Sequence, residues 1–230
     1  MPVEFRASPF RAPLLAALVL GLLGAAAAQQ TPASDKPATD KPAADKPASE
    51  PRAAKVGEAA PDFTLKDTEG KEHSLSALTK AGKIVVLEWF NPDCPVSHGY
   101  HAPDDVMNKA AEELAGKDVV WLAINSGADG KQGAGLERNQ KAAEEFGLSY
   151  PVLLDPSGKV GRLYAAKTTP HMFVIGKDGK LAYAGAIDDG SPQAKGKTNY
   201  VRETVAALLA GKDVAVKETR AFGCSVKYAD

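Results

Sequence analysis

The sequence predicts an α/β fold in which a central mixed β-sheet is covered by helices on both faces, and three observations carry that prediction. Short, continuous apolar runs rich in β-branched residues recur along the chain, as expected of strands buried on both faces. Segments with apolar residues at helical spacing alternate with them. The last two strand-like runs form a hairpin followed by one more helix, so the sheet cannot be wholly parallel.

The elements follow in order. Phe63-Thr64-Leu65 and His73-Ser74-Leu75 flank the turn Glu69-Gly70 as a small hairpin. Ile84 to Phe90 is a continuous β-rich run, broken by Asn91-Pro92-Asp93. Pro95 stands where a first helical residue belongs, because its fixed φ suits a helix start and its missing N–H is not needed there. Met107, Ala110, Ala111 and Leu114 keep one helical face, and Pro103 is expected to kink that helix. Val119 to Ile124 is a second buried strand, followed by a Gly-rich loop and a helix from Leu136 to Phe146. Pro151 to Leu154 is a short strand, and Met172 to Ile175 joins Leu181 to Tyr183 through a Gly-rich turn. Val201, Val205, Leu208 and Leu209 line the last helix, which stops at Gly211. Asp188-Asp189 reads as a solvated loop.

The domain spans 56–230 of the 230 residues, and what precedes it has a different composition. Arg6 and Arg11 lead into an apolar stretch from Leu14 to Ala27, and small residues at Ala25 to Ala28 then meet Gln29-Gln30. That order describes a signal peptide over 1–28, and hence export to a periplasmic or extracellular site; an uncleaved segment would make it a membrane anchor. Residues 29–55 repeat Asp-Lys-Pro-Ala from Asp35, Asp40 and Asp45, a composition that has nothing apolar to bury and reads as an extended tether. With 28 basic and 29 acidic residues the chain has no charge excess to suggest nucleic acid. No phosphate-cradling glycine loop calls for a nucleotide, and no cofactor is expected.

Chemistry must come from few residues. Cys94 ends a buried strand and starts a helix, where free N–H groups and the helix dipole favour thiolate over thiol. Ser97 occupies the position at which a Cys-x-x-Cys enzyme has its second thiol, so any resolving thiol within the chain must be Cys224. Spacing alone leaves open whether the two meet; Cys224 is a resolving or disulfide partner, an idle tail thiol or an intermolecular link. Glu88 lies six residues before Cys94 in an apolar strand. Buried there, it must have a raised pKa and serve as proton acceptor for the thiol, or else find a cation such as Lys83. His98, His101 and His171 supply a second constellation, which with Cys94 would suit copper or zinc, or would lower the thiol pKa as nearby cations.

Together, the cysteine at a strand–helix junction, the acid six residues before it, the segment Lys167-Thr168-Thr169-Pro170-His171-Met172-Phe173-Val174-Ile175 and the hairpin after it resemble the thioredoxin superfamily. The opening Gly57-Glu58-Ala59-Ala60-Pro61-Asp62-Phe63-Thr64-Leu65 is similar to its redoxin branch, which includes AhpC/TSA peroxiredoxins and exported thioredoxin-like reductases. The resemblance implies a thioredoxin-like fold, Cys94 as the attacking thiol and Pro170 as a cis-proline beside it, with the Thr169 backbone pairing with a polypeptide substrate. Two departures matter. Asn91 stands where peroxiredoxins carry Thr or Ser, and Thr169-Pro170-His171 offers no arginine.

The reading is an exported thiol oxidoreductase with Cys94 as nucleophile, Cys224 as resolving thiol, Glu88 as proton relay, and Thr169 and Pro170 shaping the substrate groove. Its partners are a peroxide or a protein disulfide and an external thiol reductant. The rivals are a copper-binding chaperone of the same fold and a tethered module with an inert disulfide.

Overall fold

The computed structural model describes residues 53–102, 105–191 and 194–230. The expected signal segment, most of the tether and Pro103 lie outside the described residues.

A seven-stranded mixed sheet forms the centre. In chain order its strands are β1 (Thr64–Asp67), β2 (Glu72–Ser74), β3 (Ile84–Trp89), β4 (Val119–Asn125), β5 (Val152–Leu154), β7 (His171–Ile175) and β8 (Leu181–Gly185). They lie in the spatial order β2-β1-β5-β4-β3-β7-β8. β3 runs parallel to β4 and antiparallel to β7, with Glu88 opposite Ala123 on one side and Met172 on the other. The two missing numbers, β6 (Thr168–Thr169) and β9 (Cys224–Ser225), pair with each other as a separate two-stranded ladder. The helices are α1 (Leu75–Lys80), α2 (Pro95–His101), α3 (Val106–Leu114), α4 (Leu136–Glu145), α5 (Lys159–Leu163) and α6 (Tyr200–Leu209).

Side chains alternate across β3 and divide the core in two. Ile84, Val86 and Phe90 pack with Tyr100, Met107, Ala110 and Val201 on the face of α2, α3 and α6. Val85, Leu87 and Trp89 pack with Phe63, Leu75 and Tyr164 on the other face. Each fully buried Val, Leu or Ile is worth roughly 1.5–3 kcal/mol, so β3 anchors both layers. The same alternation turns Glu88 toward the α2 layer, between Val86 and Phe90.

Three local expectations change. Leu75 begins α1 instead of extending the hairpin, because the Ser74 side chain caps the helix by accepting the Ala77 N–H at 3.3 Å. The helix expected to kink is two helices: Ala102, the residue before Pro103, is extended at φ −150° and ψ 139°, as the ring of a following proline favours. Asp188 is buried, not solvated; it accepts the Tyr100 hydroxyl at 2.9 Å and the Gly190 and Gly196 N–H groups at 2.9 and 3.0 Å. The domain also starts slightly before Val56, since the Ala54 N–H donates to the Leu163 carbonyl at 2.7 Å. No described helix is long and apolar enough to cross a membrane.

Candidate active site

β3 ends at Trp89, the chain turns through Asn91-Pro92-Asp93, and Cys94 caps α2 with Pro95 as the first helical residue. The turn is built from its own side chain: Asn91 Oδ1 accepts the Asp93 N–H at 2.9 Å while its Nδ2 donates to the Gln132 carbonyl at 3.1 Å. Asn91 thus helps to shape the loop through both ends of its amide. Cys94 itself has no exposed surface.

Three elements surround its sulfur. The Ser97 N–H of α2 donates to Sγ at 3.4 Å. The Thr169 carbonyl of β6 lies 3.1 Å away and accepts from the thiol. The third element is β9, in register with β6 so that Cys224 stands opposite Thr169. The pairing brings Cys224 beside Cys94, near enough for each thiol to shift the acidity of the other, and both cysteines are free. The Thr169–Pro170 peptide is cis.

Electrostatics differ between the two thiols. Burial pushes the Cys94 thiol up, but the neighbouring Cys224 thiol and the Ser97 N–H stabilise a thiolate and help bring its pKa below the ordinary thiol value. Cys224 goes the opposite way: burial raises its pKa, and the neighbouring Cys94, as acceptor and as developing charge, raises it further.

Beneath α2 lies a closed polar cluster. Glu88 and His101 are both fully buried, with His101 Nε2 at 3.1 Å from Glu88 Oε1 as a charge contact without hydrogen-bond alignment. Oε2 accepts the Tyr150 hydroxyl at 3.1 Å and the Trp121 indole N–H at 3.3 Å. His101 Nδ1 lies 2.7 Å from the Ser97 carbonyl, which can only accept, so Nδ1 carries a proton. Burial pushes the His101 pKa down, but the Glu88 carboxylate outweighs burial and raises it. Phe146 stacks on the imidazole at 5.5 Å. The cluster therefore connects Glu88, through His101, to the residue whose N–H faces the Cys94 sulfur.

The sequence points to Lys83 as the cation for Glu88; Lys83 instead pairs with Asp118 at 3.0 Å on the surface. Its signal for His101 was the seven-residue offset from Cys94, which reads equally as a metal ligand. The metal constellation is not formed. His101 is committed to Glu88. His171 packs on Phe173 at 4.4 Å, accepts the Lys167 N–H at 3.4 Å, and is pushed down to about 4 by burial and the Lys167 charge, so it is no cation beside the thiol. His98 sits edge-on to Phe146 at 5.2 Å. Among the described residues no three His, Cys, Asp or Glu side chains converge to hold a metal. An arginine does approach the site, from α4 and not from the later strand. Arg138 lines a cleft of about 550 Å³ beside Pro92, Cys94 and His98, but is neutralised by Asp93 at 2.9 Å and Glu145 at 3.2 Å.

The AhpC/TSA family model matches residues 56–184. The thiol-disulfide oxidoreductase ResA of Geobacillus thermodenitrificans is 33% identical over 129 residues, 56% of this chain and 68% of that protein. Among solved structures, an uncharacterised protein of Geobacillus kaustophilus superposes with a TM-score of 0.68 at 29% identity, covering 76% of this chain and 93% of that one. A putative thiol:disulfide interchange protein DsbE of Chlorobium tepidum superposes with a TM-score of 0.51 at 25% identity, covering 68% of this chain and 99% of that one.

Proposed function

The chain belongs to the AhpC/TSA family of thioredoxin-fold oxidoreductases, and on that premise we propose that it exchanges disulfides with a polypeptide partner through the pair Cys94 and Cys224. The observation that carries this reading is the strand pairing that sets Cys224 opposite Thr169, whose carbonyl lies 3.1 Å from the Cys94 sulfur. Relatives named as thiol-disulfide oxidoreductases support the same chemistry.

In the reaction, the Cys94 thiolate attacks one sulfur of a partner disulfide. A mixed disulfide forms, and the other partner sulfur leaves as a thiolate and takes up a proton. Cys224 then loses its proton and attacks the Cys94 sulfur, releasing the partner's second thiol and leaving a Cys94–Cys224 disulfide. Two electrons have passed to the partner, and an external dithiol restores the pair. The lowered pKa of Cys94 serves both steps, since a low-pKa thiol is ionised for attack and is the better leaving group when the internal disulfide is reduced.

Glu88 and His101 act as a positioning pair. They hold the Ser97 end of α2 against the sulfur and keep a proton-exchanging cluster beneath it. Thr169 and Pro170 form the wall on which a partner backbone pairs. Peroxide is the weaker substrate: Asn91 stands where a hydroxyl would orient it, and Arg138 is held by two carboxylates. The amino-terminal segment would deliver the protein across a membrane or hold it there, where disulfide-bonded partners form.

Turnover with a disulfide-bonded protein and dithiothreitol tests the reading. Cys94→Ser is expected to fall to background. Cys224→Ser, reduced beforehand and freed of dithiothreitol, is expected to attack once and stop as a mixed disulfide. Full activity in Cys94→Ser would refute the proposal.

A further inference from the structure

The family match ends at residue 184, before the segment that carries Cys224. That segment is not a loose tail. The Thr219 hydroxyl is fixed to the Tyr183 hydroxyl at 2.6 Å and accepts the Ala186 N–H at 2.9 Å, on the far edge of the sheet. From there the chain crosses the active-site end as a strap. Cys224 and Ser225 pair with β6, and the Val226 N–H continues the ladder to the Lys167 carbonyl at 3.1 Å. The Ala128 N–H donates to the Lys227 carbonyl at 2.8 Å on the opposite side. Tyr228 anchors the end: its hydroxyl donates to the Ala166 carbonyl at 2.8 Å, and the Arg162 guanidinium lies 4.5 Å above its ring. Gly161 makes room for it, since a Cβ there would meet the Tyr228 ring and hydroxyl.

Among the described residues the strap occupies the one ladder that β6 makes, at the residue before the cis-proline and beside a Cys94 with no exposed surface. An edge strand of this kind binds one extended segment at a time through its main-chain groups. A partner polypeptide that pairs with Thr169 must therefore take the place of the strap. The strap also shows what shape the edge accepts. Gly223, at φ 148°, lies against the Thr169 carbonyl, where any Cβ would collide. Val226, two residues after the cysteine, is buried in the core layer of Trp89 and Phe173.

We propose that Gly223-Cys224-Ser225-Val226 is a tethered mimic of a partner's cysteine segment. The edge of β6 then engages disulfides carried on extended polypeptide, with glycine before the cysteine and an aliphatic residue two positions after it, and Cys94 is exposed to them only when the strap lifts. This inference rests on the disulfide-exchange reading above. The steps are those already written, with an order added: the strap lifts, Cys94 attacks the partner disulfide in its place, and the strap returns with Cys224 to displace the partner.

The test uses the full chain in a Cys224→Ser background, so that one thiol reports. The probes are dithionitrobenzoate and a Phe-Gly-Cys-Ser-Val peptide whose cysteine carries a thionitrobenzoate leaving group, both read by release of the yellow thiolate. Loosening the anchor with Tyr228→Ala, or the pairing with Gly223→Ala, is expected to raise the Cys94 rate with both probes by roughly tenfold, the effect of losing about one hydrogen bond and one cation–π contact. A peptide with Ala before Cys is expected to react at least several-fold more slowly than the Gly peptide. Equal Cys94 rates in parent and both loosened chains would overturn the strap as a gate while leaving the exchange reading intact. Equal rates for the Gly and Ala peptides would overturn it as a substrate mimic. A Cys94 that reacts in urea but with neither probe in any folded variant would overturn both readings together.

Discussion

The two cysteines share one site but come from regions built on different terms. Cys94 sits at the end of the most buried strand of the sheet, with two core layers fixing its approach and a helix start at its back. Cys224 arrives on a strap outside the sheet, held by a two-residue ladder and a terminal tyrosine, and remains partly exposed. Their acidities are set apart in the same sense: Cys94 is pulled below the ordinary thiol value and Cys224 pushed above it, each partly by the other. The difference teaches a division of labour. In the proposed exchange the rigid thiol is the nucleophile and the leaving group, and the strap thiol is the one that comes and goes. A thiol supplied by a strap instead of by the same helix lets one edge serve both the resolving step and the partner.

Removing the sulfurs breaks the comparison most severely. Cys94→Ser is expected to abolish exchange, whereas Cys224→Ser keeps the first attack and accumulates a partner-linked chain visible as added mass. If the two substitutions had the same effect on a single turnover, the division of labour would be wrong. The next effect is on stability. His101→Ala leaves the Glu88 charge buried and unpaired, and a loss of about 3–5 kcal/mol is expected in urea unfolding. Lys83→Ala, which breaks a pair that is largely in solvent, is expected to cost less than about 1 kcal/mol. A loss below that of His101→Ala, about 1.5–3 kcal/mol, is expected for Tyr150→Phe, which removes one hydroxyl from Glu88 Oε2. An effect of Tyr150→Phe on stability with none on the Cys94 rate would mean that the cluster supports the fold but not the thiol.

The subtlest test is of pH. Cys94 is ionised at lower pH than an ordinary thiol because Cys224 and other donors stabilise its thiolate, so its alkylation midpoint should lie low in the intact chain. Removing the Cys224 donor should move that midpoint up. Cys224 is held protonated by the same contact, so removing Cys94 should move the Cys224 midpoint down. The two shifts have opposite signs. Midpoints that both stay in place would mean that the thiols do not sense each other.

The rigid region was the more legible in the sequence. The run Ile84 to Phe90, the break at Asn91-Pro92-Asp93 and Pro95 after the cysteine mark strand, turn and helix by local rules alone, and the structure has all three. Resemblance to a family supplied what those rules do not, the cis bond before Pro170. The partner of Glu88 was illegible. His101 follows Cys94 on a helix and reads as facing it, yet its ring turns down to the strand, held by the Ser97 carbonyl one turn back and by Glu88 and Phe146 from elements elsewhere in the chain. The strap was equally hidden. Two residues of pairing, Cys224 and Ser225 on Thr169 and Thr168, have no periodicity to detect, and the anchor at Tyr228 depends on space left by Gly161 on α5. Local pattern carries elements; contacts between short segments far apart in the chain carry the second half of the site.

The central claim is that Cys94 and Cys224 form one redox couple, and peptide mapping by mass spectrometry tests it most directly. The full chain is equilibrated across a series of reduced and oxidised dithiothreitol ratios, quenched with acid and alkylated. The account predicts a single reversible two-electron transition in which both thiols disappear together into a Cys94–Cys224 disulfide. Independent oxidation of the two cysteines, or linkage of Cys224 to a second chain while Cys94 stays free, would contradict it.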